Sequence, residues 1–332
     1  MNNNYNDLSV DFCGKTLSNP FILSSGPPTR DYSSIAQAFS KGWAGAITKS
    51  IVLNPLKDKS PHMRYLSYGD NKIALQNYEM GSELPISYWV EQTKKLKEEF
   101  PNNLLLVSLF ASNNLNEWKT LAKAFSKTPI DGFELNFSCP HSDAHGRGYI
   151  IGQDYNLCGK ITKTVINSFG RDKEAIIMPK LPYLVYPNER LATEICKANG
   201  ANSVAAINTI AGLSSINPKN LSPRLNTKGK TASGGISYHA IKPFAFLIVN
   251  NLSKTGIPVS ASGGASTDLE TIISFLAYGA NNLQYCTEVM LKGDGIISGL
   301  KNTLENYLSE KKLTLNELRG KASDKVVSWE EL

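Results

Sequence analysis

The segment Gly132-Phe133-Glu134-Leu135-Asn136-Phe137-Ser138-Cys139-Pro140-His141 joins a short apolar run to a polar ending. Similar runs rich in Val, Ile and Leu recur along the chain, each followed by a polar loop and a segment of helical period. They span residues 20–24, 44–49, 104–110, 132–136, 175–180, 203–208, 258–262 and 282–285. Near-continuous apolar strands are typical of a parallel sheet buried on both faces. Eight of them, alternating with helices, predict an α/β fold of the (β/α)8 TIM-barrel type.

A doubly wound open sheet would give the same alternation of strands and helices. The positions of the polar residues favour the barrel, because seven of them lie at or just beyond the C-terminal end of an apolar run. Barrel enzymes build their active sites there. The seven are Ser24, Lys49, Asn136, Lys180, Asn208, Ser262 and Cys286.

Small and capping residues mark the expected helix ends. Gly42 and Gly200 are expected to terminate the helices 34–41 and 189–199. Thr267 with Glu270 predicts a capping box at the start of a helix that ends near Gly279.

Composition favours one ordinary cytoplasmic domain over residues 1–332, with 310–332 as a charged C-terminal helix and tail. The chain is 41% hydrophobic and 19% charged, and it shows neither a membrane-spanning apolar run nor a secretory signal. Its five cysteines are widely spaced without a Cys-x-x-Cys, which argues against disulfides, zinc and iron–sulfur clusters, so we expect no metal. The net charge of +6 comes from scattered residues, which disfavours nucleic-acid binding.

The polar ending of the opening segment is suited to proton transfer. The Asn136 carboxamide can donate to and accept from an imide edge, and the Cys139 thiol, with an ordinary pKa of about 8.5, can exchange a proton near neutral pH. His141 either tunes this thiol or a nearby water, or has a structural role only. The polar, glycine-containing stretch 142–152 is expected to form a lid over the site.

Two glycine clusters suggest a phosphate site. Residues 233–237 precede an expected helix, and residues 262–265 follow the seventh strand. Glycine lets the backbone approach a phosphate closely, and barrels favour the last two loops for this purpose.

Motifs spread over residues 8–308 carry a resemblance to a known family. They are Gly42-Trp43, Thr48-Lys49, Asn77-Tyr78-Glu79, Tyr88-Trp89, Asn136-Phe137-Ser138-Cys139-Pro140-His141, Gly146-Arg147-Gly148, Gly152-Gln153-Asp154, Lys180-Leu181, Asn208-Thr209-Ile210-Ala211-Gly212-Leu213, Gly234-Gly235-Ile236-Ser237, Ala240-Ile241-Lys242-Pro243 and Ser262-Gly263-Gly264. With this set the chain resembles the dihydroorotate dehydrogenase family of FMN barrels. Within it, the chain is most similar to the pyrimidine-reducing domain of dihydropyrimidine dehydrogenase.

The resemblance implies non-covalent FMN. On matching positions, the isoalloxazine would contact the first strand end and two lysines, and the phosphate would lie between the glycine loops and the last strand. The implied cofactor residues are Ser24, Ser25, Gly26, Lys49, Asn136, Lys180, Asn208, Gly234, Gly235, Ser262, Gly263, Gly264, Cys286 and Thr287. A lysine beside the flavin fits the chemistry, because reduction adds negative charge that a fixed cation stabilises.

The resemblance also implies a planar pyrimidine substrate. The implied substrate residues are Asn77, Glu79, Asn136, Ser138, Asn208 and Thr209. Carboxamides satisfy the alternating carbonyl and N–H groups of a uracil-like edge without an unpaired charge. The chain departs from the family pattern at Phe137, Tyr238 and Ser262, and the first two bear on the shape of the pocket.

The activity implied is an FMN-dependent interconversion of a uracil- or thymine-type ring and its 5,6-dihydro form. Hydride transfer would occur at FMN N5, and Cys139 would transfer the proton at C5. One alternative is dihydroorotate oxidation, which needs room for a carboxylate and sits less well beside Glu79. A second alternative is a non-catalytic flavin-binding partner protein.

Partners are constrained by what the sequence lacks. Related pyrimidine reductases carry electrons to the flavin through cysteine clusters that this sequence does not contain. We therefore expect either a separate electron-transfer subunit or a soluble electron donor or acceptor, and the resemblance implies a homodimer.

Overall fold

The computed structural model describes residues 5–55, 57–140, 148–170 and 175–332. Its strands are β1 (Val10–Phe12), β2 (Lys15–Leu17), β3 (Phe21–Leu23), β4 (Gly45–Ile47), β5 (Met63–Tyr68), β6 (Asn71–Asn77), β7 (Leu104–Leu109), β8 (Gly132–Asn136), β9 (Ile176–Lys180), β10 (Val204–Ala206), β11 (Ile210–Gly212), β12 (Gly234–Ser237), β13 (Val259–Ala261) and β14 (Asn282–Tyr285). Its α-helices are α1 (Tyr32–Lys41), α2 (Ile86–Glu99), α3 (Leu115–Ala124), α4 (Tyr149–Gln153), α5 (Tyr155–Phe169), α6 (Asn188–Ala198), α7 (Lys242–Ser253), α8 (Leu269–Ala277), α9 (Thr287–Lys292), α10 (Ile297–Lys311) and α11 (Leu315–Leu318).

Eight parallel strands close into a barrel in the order β3-β4-β7-β8-β9-β10-β13-β14, and β14 pairs back with β3. The neighbours around the barrel follow chain order, as short crossovers through helices require. Each of the eight apolar runs contains one of these strands, so the predicted (β/α)8 TIM barrel is confirmed.

Burial on both faces explains why the barrel strands were visible in the sequence. All six residues of β7 are buried, and so are all five of β8 and of β9. Helices cover the outside through large aromatic contacts; the rings of Trp118 on α3 and Phe137 after β8 meet edge to face at 5.6 Å.

Local capping explains most of the helix boundaries. Gly42 adopts the left-handed conformation and ends α1 at the predicted place. The predicted capping box before α8 is wrong, because the Asp268 side chain accepts from Thr271 N and is the N-cap. The Thr267 hydroxyl instead donates to the buried carboxylate of Glu288 at 2.8 Å.

A four-stranded antiparallel sheet, in the order β11-β12-β6-β5, adds to the barrel. Its strands come from two insertions, one after β4 and one after β10. The register pairs Asn77 of β6 with Gly235 of β12. The sheet thereby brings Asn77 next to loops that follow distant barrel strands.

The C-terminal segment 310–332 is more closely packed than the sequence suggested. Leu315 and Leu318 of α11 are buried in the core, and the backbone N–H of Gly320 donates to the Leu276 carbonyl. Short 3-10 turns follow at Ser323–Lys325 and Trp329–Glu331. No helix in the described part of the chain is long and apolar enough to cross a membrane.

Candidate active site

A cavity with an empty volume of about 1010 Å³, part of it open to solvent, lies where the barrel strands end. The residues predicted from sequence that line it are Ser24, Ser25, Gly26, Lys49, Asn77, Glu79, Asn136, Cys139, Lys180, Asn208, Thr209, Ser262, Gly263, Gly264, Cys286 and Thr287. The structure thus brings together side chains from all parts of the sequence.

Lys180, the last residue of β9, is held inside the barrel by three polar groups. Its ammonium donates to Ser24 Oγ at 3.2 Å and to Gln284 Oε1 at 3.3 Å. It also lies 3.4 Å from Glu134 Oε2, and the two side chains are 4% and 0% exposed. Glu134 Oε1 accepts from Ser108 Oγ at 3.0 Å, whereas its Oε2 accepts no hydrogen bond from the described residues. The lysine therefore supplies the charge that compensates this buried carboxylate.

Two of the predicted carboxamides form one connected network. Asn136, at the end of β8, donates to Ser50 Oγ at 3.0 Å and accepts from Ser138 N at 3.2 Å. Asn208 Nδ2 donates to Ser138 Oγ at 3.0 Å, and its Oδ1 accepts from Thr209 N at 2.8 Å. Within the described residues Ser138 is fully buried beneath the amides and is not part of the cavity lining, so it orients them.

The third carboxamide, Asn77, is fixed by the antiparallel sheet. Its Nδ2 donates to the Gly235 carbonyl at 3.0 Å, and its Oδ1 accepts from Glu79 N at 3.1 Å. The Asn77 side chain therefore fixes the conformation of the backbone between Asn77 and Glu79.

Lys49, just beyond β4, lies among acidic groups. Its ammonium is 2.7 Å from Glu79 Oε2 and 3.3 Å from Asp58 Oδ2, while His62 Nε2 is 3.4 Å from Glu79 Oε1. Burial by itself would lower the pKa of Lys49, but Glu79 and Asp58 outweigh it and raise that pKa. Burial raises the pKa of Glu79, although Lys49 opposes the shift. Asp58, His62 and Glu79 lie close enough together to hold a metal ion. The Lys49 ammonium supplies the positive charge that such an ion would bring to them.

Cys139 lies three residues beyond the end of β8, at the rim of the amide network. It is 7% exposed and packs with Val52 and Phe110 in a small apolar cluster. A Cβ placed at Gly148 would lie 2.2 Å from the Cys139 carbonyl oxygen, so glycine is required where the two segments meet. His141 and most of the expected lid fall in residues 141–147, outside the described residues, and the lid's remaining residues, 148–152, overlap α4.

One part of the cavity wall is formed by the loop after β13 and the start of α9. Gly263 and Gly264 have φ angles of +101° and +92°, which favour glycine. Tyr238 also has a positive φ of 77°, in the conformation that glycine adopts readily. Its hydroxyl donates to Glu288 Oε2 at 2.6 Å, and burial together with Glu288 raises the pKa of this phenol. Burial raises the pKa of Cys286 to about 12, so its thiol is neutral.

Gly234 and Gly235 occupy a place other than the expected phosphate loop. Both are residues of strand β12. In the described structure neither of them lines the cavity, whereas Ser237 of the same strand does. A Cβ at Gly235 would fall 2.2 Å from Thr209 Oγ1. The glycine is needed so that β12 can approach the substrate-side loop, and we do not assign either residue to a phosphate.

Comparison with known proteins identifies the family. The model of the family described as "Dihydroorotate dehydrogenase" matches residues 7–308. The chain belongs to the dihydroorotate dehydrogenase family. Its relatives include the NAD-dependent dihydropyrimidine dehydrogenase subunit PreA of Escherichia coli (strain K12), 32% identical over 98% of this chain and 79% of that protein.

Two further relatives are named for two different activities. It is 30% identical to the chloroplastic dihydropyrimidine dehydrogenase (NADP(+)) of Arabidopsis thaliana, over 95% of this chain and 76% of that protein. It is 33% identical to the catalytic subunit of dihydroorotate dehydrogenase B (NAD(+)) of Thermococcus kodakarensis, over 91% and 93%. The chain is therefore a flavin-dependent pyrimidine oxidoreductase that acts on CH–CH bonds.

Sequence reasoning missed several residues of this site. Ser50, Gln284 and Ser237 line the cavity, and Glu134 and Asp58 hold its two lysines. Glu134 is the sole charged residue of an otherwise apolar run and signals a buried ion pair. Asp58 lies in an irregular segment, where its spacing from Lys49 carries no periodic signal.

Proposed function

We propose that this protein interconverts a uracil- or thymine-type pyrimidine and its 5,6-dihydro form, with FMN as cofactor and Cys139 as the residue that transfers the C5 proton. The observation that carries the proposal is the convergence of Asn77, Asn136 and Asn208 with Cys139 on one cavity. A planar imide ring needs both donors and acceptors along its edge, and carboxamides supply both.

FMN fits the residues that are present. Lys49 and Lys180 place two ammonium groups on the cavity, and a fixed positive charge stabilises the negative charge of a reduced flavin. Gly263 and Gly264 line the same cavity with positive φ angles, and glycine lets the backbone approach a phosphate closely. When bound, FMN supplies the hydride chemistry of the reaction.

The residues that would hold FMN are a subset of those predicted from sequence. We assign to it Ser24, Ser25, Gly26, Lys49, Asn136, Lys180, Asn208, Ser262, Gly263, Gly264, Cys286 and Thr287. Ser237 joins them, because its hydroxyl lies 3.0 Å from Thr287 Oγ1 at the same end of the cavity.

The chain's own part in the reaction is to orient the ring and move one proton. Asn136 and Asn208 are each held by neighbours, so their free donor and acceptor positions are fixed before the substrate arrives, which lowers the ordering cost of binding. Glu79 and Thr209 complete the substrate contacts. Cys139 donates the proton to C5 when the ring is reduced and accepts it in the opposite direction.

Dihydroorotate oxidation is the second candidate, favoured by the similarity to the Thermococcus catalytic subunit. It would use the same amides and thiol but would bring a carboxylate to a cavity that Glu79 already lines. The half-buried Glu79 carboxylate therefore favours an uncharged ring.

The electrons that reduce the flavin must come from outside this chain. The Escherichia coli and Thermococcus relatives are named as subunits of larger enzymes. We propose that this chain likewise works with an electron-transfer subunit, or with a soluble donor, and that it forms a homodimer.

The proposal is tested by the absorbance spectrum of the purified protein, followed by anaerobic mixing with dihydrouracil, dihydroorotate, uracil and thymine. Flavin reduction by dihydrouracil faster than by dihydroorotate is the expected result. Chromatography of the heat-released cofactor should give FMN; FAD, or no flavin after reconstitution, would contradict the cofactor assignment. A protein that binds flavin but is neither reduced nor reoxidised by any of the four would be a non-catalytic partner.

A further inference from the structure

One lysine of the cavity wall is shared by two carboxylates. Lys49 Nζ lies 2.7 Å from Glu79 and 3.3 Å from Asp58, and the Lys49 and Asp58 side chains are each 9% exposed. Such low exposure leaves little water or salt to screen the three charges. Their sum is one net negative charge while His62 is neutral.

Asp58 is held in this position by hydrogen bonds, and it acts on the cavity through Lys49 rather than by lining it. Its Oδ1 accepts from Met80 N at 3.0 Å, and its own N–H donates to Glu83 Oε1 at 2.9 Å. Within the described residues, the cavity lining includes Lys49 and Glu79 but neither Asp58 nor His62. Asp58 therefore contributes a buried charge without occupying substrate space.

Among the described residues, the rest of the cavity lining does not offset this charge. The other lysine, Lys180, is paired with the fully buried Glu134, so that pair adds no net charge. Without Asp58, Lys49 and Glu79 would also sum to zero. Within the described residues, the net negative charge around Lys49 therefore requires Asp58, which lies outside the cavity wall, as well as Glu79.

We propose that Asp58 is a specificity-determining residue that makes the site select uncharged pyrimidine rings over rings that carry a carboxylate. The inference rests on the proposed function and extends it to the substrate class. An uncharged imide edge meets the amides at no electrostatic cost, whereas an anionic ring meets an uncompensated negative charge. At separations of several ångströms and an intermediate dielectric constant, one such charge changes binding by roughly tenfold.

Asp58→Asn tests the proposal, because the amide can still accept from Met80 N but carries no charge. The dissociation constants of orotate and uracil are measured from the perturbation of the flavin absorbance of the holoenzyme, and kcat/KM is measured for dihydroorotate and dihydrouracil. We expect the preference for the uncharged ring to fall about tenfold in both measurements. The matched control is Asp70→Asn, which removes the same charge at an exposed residue.

Asp58→Glu separates charge from geometry, since it keeps the charge and displaces the carboxylate. It should retain most of the preference. An unchanged preference in Asp58→Asn, an equal fall in Asp70→Asn, or a loss in Asp58→Glu as large as in Asp58→Asn would each overturn the role of Asp58. A wild-type enzyme that prefers dihydroorotate would instead refute the proposed function, and the orotate-to-uracil binding ratio would still decide the contribution of Asp58.

Discussion

The buried pair of Lys180 and Glu134 gives a prediction that does not depend on any ligand. The two charged groups lie 3.4 Å apart with exposures of 4% and 0%. At an effective dielectric constant of about 20, their attraction is about 5 kcal/mol. Lys180→Met removes that attraction and leaves Glu134 buried without a counter-charge, so we expect the free energy of unfolding to fall by about 3–5 kcal/mol.

A double-mutant cycle isolates the pair. Glu134→Gln should also destabilise the protein, whereas the double variant Lys180→Met/Glu134→Gln should recover about 2 kcal/mol or more relative to the sum of the two single changes, because no charge is left unpaired. Urea unfolding of the flavin-free protein, followed by circular dichroism, measures all four states. Additive effects, or a Lys180→Met change below about 1 kcal/mol, would show that the pair is solvated and that the reasoning is wrong.

Three further predictions concern the site and the helices. Asn136→Ala and Asn208→Ala should each lower kcat/KM for the pyrimidine by about one to two decades, with flavin content falling less than activity; wild-type turnover would remove them from the substrate site. Cys139→Ala should slow substrate-driven flavin reduction about 10²- to 10⁴-fold in stopped-flow measurements, and Cys139→Ser should shift the optimum for dihydropyrimidine oxidation to higher pH, because a hydroxyl is a weaker acid; an unchanged rate would end the assigned role. Burial opposes ionisation of Asp268, but hydrogen bonds from Ser266 and Thr271 outweigh it and lower its pKa. Asp268→Ala should therefore cost about 1 kcal/mol at neutral pH, and this difference from wild type should diminish as the pH falls below about 4; a difference that grows on acidification would refute the cap.

The sequence predicted the barrel because its strands are buried on both faces and read as continuous apolar runs, as in β7. It did not predict the added sheet. Strands β11 and β12 are short and rich in glycine, a residue of low strand propensity, and β5 is partly exposed without alternation. Their pairing joins residues far apart in sequence, as in Asn77 with Gly235, and no local pattern encodes such a pair.

The site shows the same difference between features that a local sequence pattern encodes and features that depend on the three-dimensional fold. Residues at strand ends, such as Lys49 and Lys180, were found because the barrel fixes where strand ends meet. Glu134 and Asp58 act through those lysines, and only the three-dimensional arrangement shows which cation each one faces. Gly234 and Gly235 were assigned to a phosphate because a glycine pair has the same sequence appearance in a loop and in a closely packed strand.

The register between β6 and β12 limits how this scaffold can be re-engineered. Asn77 donates to the Gly235 carbonyl, and Gly235 leaves no space for a side chain beside Thr209. A graft that transfers substrate preference from one member of the fold to another must therefore carry segments 63–77 and 210–237 together. Exchange of either segment alone would mismatch the ladder and misplace the amide, even if every residue in contact with the ring were copied.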